Sequence, residues 1–223
     1  MARDNHFDKE KRFARAFLEA HPDQVALLLE RMPPNDVAGF LEQLPVVSAV
    51  EVLRRMALAL AADVLERLST ERATAVLSLL PADSAAGLLR RVEIDRRKAF
   101  FAALPDDTVA TLAVLLRYPE HTAGAYMDTR VLAVPQEMTV GEARNRLRRA
   151  ARQALFYIYV VDREQQLAGV VNLRELMLAD GKQPLSEVMQ RNVARIPVSA
   201  DHAEILAHPA WRDVHALPVV DER

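Results

Sequence analysis

From Ala20 onward the first half of the chain can be cut every twelve residues and the pieces align: AHPDQVALLLER, MPPNDVAGFLEQ, LPVVSAVEVLRR, MALALAADVLER, LSTERATAVLSL, LPADSAAGLLRR, VEIDRRKAFFAA and LPDDTVATLAVL. The first position is Ala, Met, Leu or Val, and the second is proline at Pro33, Pro45, Pro81 and Pro105. The fourth is often Asp, Asn or Glu, as at Asp23, Asn35, Glu71, Asp83, Asp95 and Asp107. The sixth is Val or Ala except at Arg97, and the ninth and tenth are apolar throughout. An Asp or Pro near the start of a unit favours a helix N-terminus. Positions six, nine and ten fall on one helical stripe. Twelve residues hold about two helical turns and a corner, too little to persist alone in water. Such units last only by stacking their stripes on one another. Residues 20–117 are therefore predicted to form an α-helical superhelical repeat, against the alternative of three or four longer helices.

The rest of the composition narrows the class. Of 223 residues, 51% are apolar and 27% charged, the balance of a folded globular chain. Cysteine is absent, which excludes disulfides, thiolate zinc sites and a cysteine nucleophile. With 29 basic against 31 acidic residues, no global field draws the chain to nucleic acid or anionic lipid. The charged start MARDNHFDKEKRF is no secretory signal. The longest apolar run, around Met56–Ala62, falls far short of the ~20 residues that span a bilayer. The sequence has no G-x-S-x-G, G-x-G-x-x-G, G-x-x-x-x-G-K or H-E-x-x-H, and an enzyme is not expected.

The segment Tyr118–Gly124 breaks the period with Pro119 and Gly124 and reads as a linker, and limited proteolysis should cut first around Pro119–Ala125. Beyond it the order changes. Val131–Val134 reads as a strand, and Thr139 caps a helix over Val140–Gln153 with Ala143, Leu147 and Ala150 on one face. Strands at Phe156–Val161 and Leu167–Val171 flank a turn, and short helices follow at Leu173–Leu178 and Leu185–Met189. Then come strand Ala194–Pro197, helix Asp201–Ala207 and strand Ala216–Val220. The order is β-α-β-β-α, begun a second time.

Here a family resemblance enters. The run MDTRVLAVPQEMTVGEARNRLRR…FYIYVVDREQQLAGVVNLRELM resembles a CBS motif, and VMQRNVARIPVSADHAEI…VHALPVVDER resembles most of a second. Together with the helical repeat and a linker carrying Arg117, Tyr118, Ala123, Gly124 and Met127, they resemble the cytosolic portion of MgtE magnesium transporters. The resemblance implies a multidomain α plus α/β chain: a helical domain over 1–117, a linker over 118–127, a first CBS motif over 128–188 and an incomplete second over 189–223. It also implies a homodimer formed through the CBS half, and a transmembrane domain elsewhere in the same full-length protein. The chain would then lie at the cytoplasmic face of the inner membrane. The second motif stops before its last strand and helix, so the sequence is expected to be a piece of a longer protein, the alternative being a soluble relative.

In that family, acidic residues facing one another across domain interfaces sense Mg2+. Asp83 matches one sensor, while Gly87 stands where the next acid would be. Asp201 and Asp213 match two more, and Glu204 lies beside an aligned position occupied by Ala203. Mg2+ suits such sites because it is hard, prefers oxygen and keeps most of its waters. Asp83 and Asp201 read equally well as helix-start residues. Some members also bind ATP between CBS motifs; Tyr157 and Arg174 match contact positions there, and Glu175 replaces an Asp that holds ribose hydroxyls. The alternative for these is an ordinary strand tyrosine and a surface arginine.

Two further patterns read as ordinary surface. Arg144, Arg146, Arg148, Arg149 and Arg152 crowd one helix without aromatics and read as a solvated face, not a nucleic-acid footprint. His202, His208 and His215 have no i, i+4 pair and suit no helical zinc site. Three functions follow. The first is an Mg2+-sensing region that closes the pore of a magnesium transporter. The second is a soluble CBS protein sensing adenine nucleotides, and the third a passive helical-repeat scaffold.

Overall fold

The computed structural model describes residues 21–150 and 156–221. It divides into two compact units, one up to Leu116 and one from Arg117. The first unit is a run of short helices: α1 (Pro22–Leu29), α2 (Pro34–Gln43), α3 (Val46–Leu53), α4 (Leu58–Arg67), α5 (Thr70–Leu79), α6 (Ala82–Leu89), α7 (Ile94–Ala103) and α8 (Asp106–Leu115). Each packs chiefly on the next but one, so α1 meets α3, α2 meets α4, and so on to α8. The twelve-residue unit is thus one helix and one corner. The stripe is its core: Ala49, Val52 and Leu53, then Ala61, Val64 and Leu65, then Ala73, Val76 and Leu77 are all buried. In α1 the stripe is broken, with Leu28 exposed.

Polar clasps join the stacked layers. From α2 to α8 the residue preceding each helix has nearly the same backbone, with φ between −48° and −58°. Proline fits that φ and lacks an N–H. It occupies the position at Pro33, Pro45, Pro81 and Pro105. The other three residues, Ala57, Ser69 and Glu93, have an N–H that must find an acceptor. Each donates to a glutamate 27 residues earlier: Ala57 to Glu30 at 2.6 Å, Ser69 to Glu42, and Glu93 to Glu66. At the opposite helix ends, Arg72 donates to the carbonyls of Leu41 and Leu44. Arg96 does the same for Glu66 and Leu68 and lies 4.8 Å over the Phe100 ring. Cations here satisfy terminal carbonyls and complement the helix dipole.

The second unit opens with α9 (Ala123–Tyr126), followed by β1 (Ala133–Pro135), α10 (Val140–Arg149), β2 (Tyr157–Val161), β3 (Leu167–Asn172), α11 (Leu173–Leu178) and α12 (Leu185–Val188). Then come β4 (Ile196–Pro197), α13 (His202–Ala207), a 3-10 turn over Pro209–Arg212, and β5 (Val219–Val220). β1 runs parallel to β2, and β2 antiparallel to β3, with an irregularity at Val160/Val161. β4 and β5 repeat the parallel pairing. Thr139 and Glu142 close a capping box at the start of α10, and Asp201 and Glu204 close one at α13. The larger core gathers Val134, Val140, Ala143, Ile158, Val171, Leu176 and Leu185; a smaller one gathers Ala123, Ile196, Ala200 and Leu217.

Two local readings need correction. The stretch read as linker contains a helical turn with Ala123, Gly124 and Ala125 buried. Pro and Gly serve a tight docked turn there, so protease should not cut first at those three residues. Arg144 does not lie on a solvated face: it donates to the carbonyls of Leu176, Met177 and Ala179 and caps the end of α11. The end of the helix predicted to reach Gln153, including Arg152, lies outside the described residues.

Candidate functional site

Asp83 stands exposed in the first turn of α6, where the adjacent helix N-terminus favours a negative charge. Its carboxylate makes no hydrogen bond or ion pair among the described residues. One turn on, Gly87 tolerates a side chain: an added Cβ would lie in ordinary van der Waals contact, 3.7 Å from Leu58 Cδ1.

The second unit brings Asp201 and Glu204 together. Asp201 Oδ1 accepts from the Glu204 N–H at 2.8 Å, and Glu204 Oε2 accepts from the Asp201 N–H at 2.8 Å. Each carboxylate thus spends one oxygen on the helix and keeps the other for solvent. Asp213, exposed, closes the 3-10 turn through its own N–H to Ala210. Among the described residues no three or more His, Asp or Glu side chains converge as a metal cluster. The three histidines are likewise apart in role; His208 Nδ1 accepts from the Ala210 N–H.

Tyr157 begins β2 opposite Asn172. Its hydroxyl accepts from the His215 N–H at 3.5 Å, which ties the first motif to the second. Beside it Phe156, also half-exposed, meets the His215 ring at 5.3 Å. Arg174, on α11, is exposed and makes no contact with an acid among the described residues. Glu175 is partly buried, with its N–H on Asn172 Oδ1 at 2.7 Å and its Oε1 accepting from Gln190 at 3.5 Å. Its Oε2 is buried without a partner. Leaving a buried acceptor unpaired is costly. Nearby in β2, burial pushes the Tyr159 phenol above its ordinary value, with Tyr157 adding to the shift. At α10, by contrast, the Thr139 N–H and hydroxyl hold the exposed Glu142 carboxyl below its usual range.

Sequence reasoning missed Phe156, Gln190 and His215 as neighbours of these positions. The signal for them is spatial: Gln190 reaches Glu175 because Val170 and Gln190 form an isolated bridge. No spacing along the chain announces that.

Comparison with known proteins bears on both units. Residues 20–121 match the MgtE intracellular N domain, and residues 123–182 match the CBS domain. The magnesium transporter MgtE of Thermus thermophilus is 40% identical over 130 residues, covering 56% of this chain and 29% of that protein. The MgtE of Enterococcus faecalis is 33% identical over 109 residues, covering 48% and 24%. The chain thus spans less than a third of the length of these curated relatives. Among solved structures, the cytosolic domain of the Mg2+ channel MgtE in complex with ATP superposes with a TM-score of 0.63 at 32% identity, covering 93% of this chain and 90% of that one. The soluble part of a magnesium transporter has the same fold, with a TM-score of 0.63 at 22% identity.

Proposed function

The chain belongs to the MgtE family, and from that premise we propose that it is the cytosolic, Mg2+-sensing region of a magnesium transporter, closing the pore when the ion bridges its acidic surfaces. The observation that carries this is the match of 93% of the chain to an MgtE cytosolic domain at 32% identity. MgtE and CBS domains serve transport and regulation, not catalysis. No helix among the described residues is long and apolar enough to cross a membrane; in this reading the pore is supplied by a transmembrane domain of the same full-length protein.

In this reading Asp83 on the helical unit and Asp201, Glu204 and Asp213 on the CBS unit hold hydrated Mg2+. Any two carboxylates brought within about 6 Å of each other repel by roughly 3 kcal/mol at an effective dielectric of about 20, before salt screens them. Mg2+ reverses that sign and favours the state that holds it, a shift of population between two arrangements. Because Gly87 removes one acid and the capping box occupies two oxygens, binding falls in the range of about millimolar. Calorimetric titration tests this: the wild type binds Mg2+, Asp83→Ala with Asp213→Ala does not, and Gly87→Glu binds more tightly. No heat with wild-type protein, or unchanged heat in the double variant, removes these residues from the reading.

ATP is proposed as a second ligand, with Arg174 toward phosphate, Tyr157 toward the base and Glu175 Oε2 accepting from ribose hydroxyls. The buried, unpartnered oxygen of Glu175 favours this. Phe156, Met177, Leu178, Leu206 and Trp211 leave apolar surface exposed on the second unit, and a homodimer through this half would cover part of it. Light scattering at micromolar protein should give twice the chain mass; a strict monomer contradicts the dimer.

A further inference from the structure

The turn α9 repeats, in the second motif, what α12 does in the first. In the first motif the Leu185 N–H donates to Met138 O and the Ser186 N–H to Gln136 O, while Pro184 bridges Thr139, the cap of α10. In the second, the Ala123 N–H donates to Ala200 O at 2.8 Å and the Gly124 N–H to Val198 O at 2.9 Å, while Thr122 bridges Asp201, the cap of α13. The two sets correspond bond for bond. The motif side moves 62 positions forward (Met138 to Ala200, Gln136 to Val198), and the turn moves 62 positions back (Leu185 to Ala123, Ser186 to Gly124). Ala123 is buried in one cluster with Ile196, Ala200 and Leu217.

The segment that joins the two units is therefore built into the motif farther away in sequence. We propose that residues 118–127 are a strap held by the second CBS motif, so that order in that motif sets how much free chain joins the helical unit to the CBS unit. The anchor lies where the ion reading places its ligands: Ala200 holds Ala123, and the next residue, Asp201, both bridges Thr122 and closes the capping box with Glu204. An ion on Asp201 and Glu204 stiffens the backbone that holds the strap; this last step rests on the function proposed above.

Amide hydrogen exchange on the whole chain tests the strap. In the wild type the Ala123 and Gly124 amides are protected. Ile196→Ala, in the small core, speeds their exchange about tenfold or more. Leu185→Ala, in the larger core, speeds exchange in β2 and β3 and leaves Ala123 and Gly124 unchanged. Unprotected amides in the wild type, or equal acceleration by both variants, overturn the proposal. Should Ile196→Ala unfold the chain, Ile196→Val, which removes a single methyl group from the same core, serves the same purpose. Adding Mg2+ separates the two readings. Slowed exchange at Ala123 and Gly124 supports both, whereas an Ile196 effect with no Mg2+ effect keeps the strap and overturns the ion step.

Discussion

Gly124 carries the sharpest local constraint in the second unit. Its φ is ordinary, so the need for glycine comes from proximity alone: a Cβ there would lie 2.4 Å from Tyr118 Cγ and 2.8 Å from both Cδ atoms. Gly124→Ala must push the Tyr118 ring aside and is expected to cost about 1–3 kcal/mol in chemical denaturation of the second unit. Adding Tyr118→Ala should recover much of the loss, and an unrelieved loss in the double variant would place the strain elsewhere. The motif residues Tyr118 and Gly124 were legible in the sequence, but their contact was not, because a glycine six positions from a tyrosine reads as a flexible joint. The same gap holds for Glu175. Its position in the motif marks it, whereas the burial of one oxygen depends on how α11 and Gln190 pack.

Among the elements, the first unit was the more legible. A stripe at positions six, nine and ten needs only helical periodicity to be read, and the buried residues follow it from α3 to α6. The polar clasps were hidden because donor and acceptor lie 27 residues apart. Once seen, they explain why the second position of a unit alternates between proline and other residues: either the N–H is absent or a glutamate answers it. That gives a double-mutant test at α4. Glu30→Ala should cost about 1 kcal/mol by exchanging the Ala57 N–H bond for one to water. Ala57→Pro fits the existing φ of −54° but loses the same bond, so the stiffer unfolded chain only offsets that loss and the net change should be small. In the Ala57→Pro background, Glu30→Ala should then cost almost nothing. Additive costs measured by urea unfolding would show that Glu30 stabilises by another route. In the second unit the short strands β4 and β5 hold two residues each. Propensity sketched them longer because it cannot see where pairing stops.

For the whole molecule, the two units divide at Leu116, where the twelve-residue period ends. The change of period was visible in the sequence; the crossing of residues 122–124 into the second motif was not, since it joins residues 74 to 79 positions apart. The central proposal is that Mg2+ held by Asp83, Asp201, Glu204 and Asp213 shifts the chain toward a more compact population. Small-angle scattering of the whole chain, with and without about 10 mM Mg2+ at matched ionic strength, tests it most directly. The account predicts a smaller radius of gyration with Mg2+ in the wild type and no change in Asp83→Ala with Asp213→Ala. An equal radius in both conditions for the wild type, or contraction that survives the double substitution, would contradict it.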